Sequence, residues 1–186
     1  MSREDNVKIF EDTVQRYHTD KDLIDAIKRQ NDNTQIILEG KKVEYVMPEC
    51  EDLESMKVIV TPSSTFDAAR KYESGKTAVL NFASATTPGG GVTKGATAQE
   101  ECLCRCSTLY ATLSNKKCWD EFYKPHRDKL NALHNNDIIW TPDVAVFKDD
   151  HYNLLDWQEW KRISVITCAA PNLREKNVDM FRIRFT

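Results

Sequence analysis

Three short apolar runs limit what this chain can fold into: MKVIV (56–60), TAVLNFA (77–83) and ISVITCAA (163–170). Each is too short for a stable helix. Each is apolar at successive positions, so an extended chain would carry apolar groups on both faces, the pattern of strands covered on two sides. Segments of helical periodicity lie between and before them. Residues 2–17 place Val7, Ile9, Phe10, Val14 and Tyr17 on an amphipathic helix. HTDKDLIDAIKRQN (18–31) predicts a second helix, capped by Thr19 or Asp20, with Leu23, Ile24 and Ile27 as its buried stripe. TPSSTFDAARKYES (61–74) predicts a helix after a capping serine and closed near Gly75. AQEECLCRCSTLYATL (98–113) predicts one continuous helix. Strands alternating with helices give an α/β domain with a largely buried, partly parallel sheet.

The remaining segments fill in that outline. TQIILEG (34–40) and KKVEYV (41–46) read as strands turned at Gly40–Lys41. NKKCWDEFYKPHRDKLNALHNND (115–137) is polar and mixed, and reads as a short helix and a surface loop. DIIWTPDVAVFKDD (137–150) reads as two extended pieces around Pro142, with Asp143, Asp149 and Asp150 as turn residues. No internal repeat or low-complexity linker divides the chain. Residues 1–32 are expected to be a helical extension packed on a core domain of residues 33–186.

Composition excludes little. The chain has 186 residues, 40% hydrophobic and 30% charged, with a net charge of −3. That charge provides no global field to steer nucleic acid, and specific DNA or RNA binding is not expected. No apolar run approaches the roughly 20 residues of a membrane helix. The charged N-terminus does not resemble a signal peptide, so the expected location is cytoplasmic. Cys50, Cys102, Cys104, Cys106, Cys118 and Cys168 include no pair at zinc-binding spacing, and they read as reduced packing residues. His18, His126, His134 and His151 lie in polar surroundings and read as surface residues. Trp119, Trp140, Trp157 and Trp160 could stack on an adenine but have no spacing that says so. No metal or cofactor is expected.

NFASATTPGGGVTKGATAQEE (81–101) is the most informative segment. A strand, a glycine-rich turn and a helix form a common device for presenting backbone N–H groups to a phosphate. Gly89, Gly90 and Gly91 can take positive φ and let a ligand approach the backbone. Taken alone, they also fit a tight turn. Neither GxGxxG nor a P-loop is present. Glu100 and Glu101 are adjacent on a helix and should point about 100° apart, so they are not expected to face one atom. Acidic residues in a first helical turn are favoured by the helix dipole without any catalytic role.

The combination is more specific than its parts. Three glycines, a seven-residue spacer and Gln-Glu-Glu behind a strand resemble the signature of microbial-type poly(ADP-ribose) glycohydrolases. The resemblance extends through AVLNFASATTPGGGVTKGATAQEECLCRCSTLY, DIIWTPDVAVFKDD and VITCAAPNLRE, in that order. It implies a macrodomain-like mixed sheet flanked by helices, with the N-terminal helical extension added. It also implies hydrolysis of ribose–ribose O-glycosidic bonds in poly(ADP-ribose), free or on an ADP-ribosylated protein, with ADP-ribose as product.

By the same resemblance Glu101 is the general acid/base and Glu100 orients ribose hydroxyls. Gly89, Gly90, Gly91 and Val92 meet the diphosphate and distal ribose, and Gln99 anchors the loop. Asn81, Ala83, Ser84 and Pro88 complete the substrate-binding set. A carboxylic acid that donates its proton near neutral pH needs a raised pKa, and a neighbouring carboxylate helps to supply it. The family's chains continue beyond the CAAPN strand into a second glycine-rich segment. No glycine follows Gly95 here, so a C-terminally incomplete domain is expected, and with it a fragment completed by another chain as one reading. The competing function is a macrodomain-like binder of ADP-ribose or a related nucleotide without cleavage.

Overall fold

A computed structural model describes residues 1–41, 57–72, 76–129 and 135–170. The strand expected at 42–46, Cys50, Gly75, His134 and the segment from Pro171 onward lie outside the described residues.

Helix α1 (Arg3–Thr19) starts at a capping box in which Ser2 and Asp5 exchange side-chain and backbone hydrogen bonds. Helix α2 (Lys21–Asn33) follows at once, capped by Asp20, whose carboxylate accepts from the amides of Asp22 and Leu23. Strand β1 (Gln35–Ile37) precedes α3 (Thr65–Lys71), which Ser64 caps. Strand β2 (Ala78–Ala83) leads through the glycine loop to α4 (Gln99–Cys106) and α5 (Leu109–Leu113). A helical run follows: α6 (Lys116–Cys118), a π turn at Trp119–Tyr123, and α7 (Lys124–Lys129). Strands β3 (Ile138–Val146) and β4 (Lys161–Ala169) complete the described sheet.

The sheet order is β1-β3-β4-β2. β3 runs antiparallel to β1 and β4, and β2 runs parallel to β4 with Ala83 opposite Ala169. The mixed sheet flanked by helices is therefore as the sequence indicated. α2 packs on β3, while α3 and α4 pack on β2. The core between them gathers Phe10 from α1, Leu103 and Cys104 from α4, Phe122 and Tyr123 from the π turn, and Val144 and Val165 from the sheet.

Several expectations change. Residues 57–60 form no strand among the described residues, and Val58 and Val60 are exposed, because no neighbouring strand pairs with them there. β2 alternates rather than burying both faces: Val79, Asn81 and Ala83 point inward while Leu80 and Phe82 are exposed. The stripe of α2 is Leu23, Ala26 and Gln30, with Ile24 turned toward solvent. Residues 98–113 make two helices, because Ser107 turns extended and its hydroxyl caps back onto the Leu103 carbonyl. The segment 115–129 is no surface loop. Cys118, Phe122, Tyr123 and His126 are buried along one side of it. His126 is thus an interior residue, bonded to the Phe122 carbonyl and the Asn135 side chain. Residues 138–146 form one strand with a bulge between Thr141 and Val144. Pro142 has no N–H to give the ladder, and Asp143 adopts φ 54°, a left-handed conformation Asp tolerates. Cys168 is half-buried rather than buried.

A buried polar knot ties three elements together. Thr108 donates its hydroxyl to Gln30 Oε1 (2.6 Å) and accepts from the amide of Ala145 (3.0 Å). Its own amide bonds the Ala145 carbonyl, and Gln30 Nε2 donates to the Thr108 carbonyl and the Thr112 hydroxyl. Gln30, Thr108 and Thr112 are fully buried, so each bond is made out of reach of water. Thr108→Val keeps the shape but leaves one donor and one acceptor unpaired. It should lower unfolding free energy by about 2–4 kcal/mol, read from denaturant titration.

Candidate active site

The site forms where β2 ends. The chain leaves β2 at Ser84, turns through Gly89–Gly91, makes a 3₁₀ turn at Val92–Lys94 and enters α4 at Gln99. Three consecutive side chains at the start of α4 bend back onto that path. Gln99 Oε1 accepts from the Phe82 amide (2.8 Å) and its Nε2 donates to the Leu80 carbonyl (2.8 Å) and the Thr65 hydroxyl (3.0 Å). Glu100 Oε2 accepts from the Ser84 amide (2.8 Å). Glu101 Oε1 accepts from the Gly91 amide (2.8 Å).

The two glutamates converge, contrary to the expectation that neighbours on a helix cannot face one atom. A Cβ placed on Gly90 would lie 2.6 Å from Glu101 Oε1 and 3.0 Å from Glu100 Oε2. The Cα–Cβ bonds do diverge, but each side chain can rotate about that bond and about two more beyond it. Both lean toward the N-terminal end of the helix, as helical side chains do, and there the loop wraps around to meet them. Gly90 therefore has two reasons to be glycine: φ is 58°, and the carboxylates occupy the space a side chain would take. Gly89 is similar, with φ 66° and the Tyr110 ring 2.7 Å from a would-be Cβ.

Burial sets the electrostatics. Glu100 and Glu101 are 3% and 6% exposed. Each has one oxygen pinned by a loop amide. The other oxygens, Glu100 Oε1 and Glu101 Oε2, have no hydrogen-bond partner among the described residues. The Glu100 carboxyl is pushed up to about 7. Burial is the largest cause and the Glu101 carboxylate adds to it, against the opposing Ser84 hydrogen bond and the nearby polar groups of Asn81 and Gly89. The group raised in this way is Glu100, the neighbour of the residue that the resemblance casts as the acid.

The other predicted residues surround the pair unevenly. Asn81 is fully buried on β2, donating to Thr167 Oγ1 (3.2 Å). Ser84 gives its amide to Glu100, while its hydroxyl accepts from the amides of Thr86 and Thr87. Ala83 is buried, its carbonyl bonded by the Ala170 amide. Pro88 is half-buried in the turn, and the side chain of Val92 is in the core. The amides of Gly90 and Val92 bond the carbonyls of Thr87 and Gly89, and that of Gly91 bonds Glu101. Among the described residues no group of three or more His, Cys, Asp or Glu could hold a metal ion.

Sequence reasoning missed three supports. Tyr123 is fully buried, and its hydroxyl is held in the neutral form by burial first and by the Glu100 charge second. Its signal was the apolar spacing of Cys118, Phe122 and His126, obscured by the charges between them. Arg105 is fully buried one turn after Glu101. It donates to the Ala96 carbonyl (2.7 Å) and lies over the Tyr152 ring (5.3 Å to the centroid). Gly95, at φ 70°, lies so close to α1 that a Cβ would fall 2.2 Å from the Arg3 carbonyl oxygen. Asn6 also donates to the Gly95 carbonyl. Neither contact leaves a trace in local sequence pattern.

Comparison with known proteins agrees on one family. The model of the microbial-type PARG catalytic domain matches residues 4–149. A solved poly(ADP-ribose) glycohydrolase from Thermomonospora curvata is 31% identical, with a TM-score of 0.76 over 90% of this chain and 65% of that one. The same bacterium's enzyme bound to the inhibitor ADP-HPD gives 31% and 0.72, over 90% and 63%. The Deinococcus radiodurans enzyme in complex with ADP-ribose gives 33% and 0.63, over 78% and 58%. The chain therefore spans just under two thirds of the length of these Thermomonospora structures. No curated protein matches the sequence.

Two substitutions test the electrostatics and packing. The raised Glu100 acid stabilises the fold in its protonated form, fully so below the ordinary carboxylate value of 4.5 and progressively less as pH rises through about 7. Glu100→Gln removes that dependence. It should melt close to the parent at pH 5 and above it at pH 8, by an amount on the order of 3 kcal/mol in unfolding free energy. Gly90→Ala should lower stability by at least about 1 kcal/mol from its positive φ alone. It should also displace both carboxylates, which a crystal structure of the variant would show.

Proposed function

Since this chain belongs to the microbial-type PARG family, we propose that it hydrolyses the ribose–ribose O-glycosidic bonds of poly(ADP-ribose) and releases ADP-ribose. The observation that carries the reading is the convergence of two buried carboxyl groups on one point of the glycine loop, each with one oxygen fixed and one left over. Solved PARG structures with ADP-ribose and ADP-HPD support the ligand class.

The chemistry follows from which oxygens are engaged. Glu101 is held through Oε1, so Oε2 is the oxygen that delivers a proton to the departing ribose oxygen as the glycosidic bond breaks. The distal ribose becomes oxocarbenium-like at its anomeric carbon. The Glu101 carboxylate then takes a proton from water, whose oxygen bonds that carbon. Glu100, held through Oε2, offers Oε1 to ribose hydroxyls. Its readiness to hold a proton near neutrality limits the negative charge gathered beside a diphosphate.

The Gly89–Val92 turn gives the diphosphate a surface free of side chains. Its amides at 90–92 are engaged within the protein, so the turn contributes close approach rather than ready donors. Asn81, Ala83, Ser84 and Pro88 line the same end of β2 and belong to the proposed substrate contacts, with Gln99 as the anchor behind them. The substrate is poly(ADP-ribose), free or protein-linked, with no specific DNA or RNA partner. Cytoplasmic location is part of the same proposal, supported by five free cysteines among the described residues. No helix among the described residues is long and apolar enough to cross a membrane.

The test is mass-spectrometric detection of free ADP-ribose after mixing the chain with poly(ADP-ribose), beside Glu101→Gln. The parent should release ADP-ribose and the variant should lose about 10³-fold or more in rate while keeping ADP-ribose affinity. Equal release by both overturns the role of Glu101. Affinity for ADP-ribose without release by the parent identifies a binder instead.

A further inference from the structure

A second cleft lies at the other end of the sheet. It has a volume of about 700 Å³ and is bounded by α2, the start of β4 and the turn before it, with Ala145 of β3 among its lining. Its lining includes an aromatic face, two guanidinium groups and two carboxylates. Trp157 is 70% exposed at its rim, a large apolar surface left in water. The ring is not on a loose tip. A 3₁₀ turn, Trp157–Glu159, carries it, closed by a capping box between Asp156 and Glu159. Trp160 fixes the far side of the turn, donating its indole N–H to the Leu155 carbonyl (3.1 Å) and packing on Phe147. Arg29 and Arg162 flank the cleft, and Asp22 and Asp25 face it from the first turns of α2. None of these four charges forms an ion pair among the described residues, although both signs line one cavity.

That set matches the parts of an ADP-ribose unit. An exposed, rigid indole is a stacking platform for adenine. Guanidinium groups pair with diphosphate oxygens. Carboxylates accept from ribose hydroxyls. A purely phosphate-binding groove would have no use for the aspartates, and a purely apolar groove none for the arginines. Arg162 pairs with Ala145 at the start of β4, whereas Glu100 binds the Ser84 amide just after Ala83, which lies opposite Ala169. Seven residues of strand separate the two ends, roughly 20–25 Å at the usual rise per residue. A single ligand that reaches both places has to span that distance, as a chain of repeating units does.

We infer that the Trp157 cleft is a second binding site for poly(ADP-ribose), holding a unit of the same chain distant from the bond being cut. The inference rests on the proposed glycohydrolase reading for the identity of the polymer. A distant foothold raises the effective concentration of the reacting end at the catalytic loop, so it acts on long chains and leaves single units unaffected.

The experiment separates the two readings by using binding rather than turnover. In the Glu101→Gln background, affinity is measured for monomeric ADP-ribose and for poly(ADP-ribose) of defined long and short lengths. Trp157→Ala and the double variant Arg29→Ala/Arg162→Ala are then compared with that parent. Each should weaken long-chain binding about tenfold and leave monomer binding at the catalytic loop unchanged. Trp157→Phe, which keeps a stacking face, should restore most of the loss. Unchanged long-chain affinity in both variants overturns the inference while leaving the glycohydrolase reading intact. Failure of the Glu101→Gln parent to bind monomer or polymer overturns both. A loss seen only with protein-linked polymer, and not with free chains, assigns the cleft to the carrier protein and overturns the inference too.

Discussion

Two carboxyl groups on adjacent residues are kept out of water and brought to one point, and two backbone amides make this possible. Without the N–H groups of Ser84 and Gly91, Glu100 and Glu101 would be buried charges with no partner, a costly arrangement that a fold avoids by exposing or neutralising them. With those bonds made, one oxygen of each is satisfied and the burial is tolerated. The remaining strain appears as the raised Glu100 acid. The loop conformation, the glycines and the register of α4 against β2 all follow from delivering those two amides to those two oxygens.

This constraint reaches well beyond the loop. The turn keeps its path because Gly95 is pressed against the carbonyl of Arg3 and Asn6 bonds the Gly95 carbonyl, so the first turn of α1 backs the loop. α1 is held in turn by Lys148, which emerges after β3 and reaches Asp12 (2.8 Å) and Thr13 (2.7 Å). Burial lowers the Lys148 ammonium from its usual value, against the Asp12 carboxylate that supports it. The N-terminal helices are therefore continuous with the machinery that positions the glutamates, and Phe10 lies in the same core as Leu103.

What the sequence disclosed, and what it hid, divides along the same physical line. Caps and short-range periodicity are local, so the starts of α2 and α3 at Asp20 and Ser64 were legible, as was the strand–glycine–helix succession. The bend of two glutamates toward Gly90 was not, because helical geometry fixes the direction of Cβ and leaves the carboxylate free. Tyr123 was hidden for another reason. Charged neighbours masked an apolar face that only a π turn brings wholly inward. Arg105 is a third case: a fully buried arginine looks like a surface residue until a carbonyl and a tyrosine ring are found to receive it.

The order Gln-Glu-Glu now has a structural meaning separate from any chemistry. All three side chains return to backbone, but they meet different groups. Position 99 faces a strand edge, where the Phe82 amide needs an acceptor and the Leu80 carbonyl needs a donor. Only a side-chain amide offers both, so Gln99 pairs with β2 much as another strand would, and a glutamate there would leave the carbonyl opposed by a carboxylate. Positions 100 and 101 meet only N–H groups, which a carboxylate serves better than an amide because the bond is charge-assisted. The neutral residue is thus placed where both donor and acceptor are needed, and the ionisable ones where only acceptors are. The first turn of α4 is fixed to β2 by Gln99, and that leaves one oxygen of each glutamate uncommitted at the end of the strand.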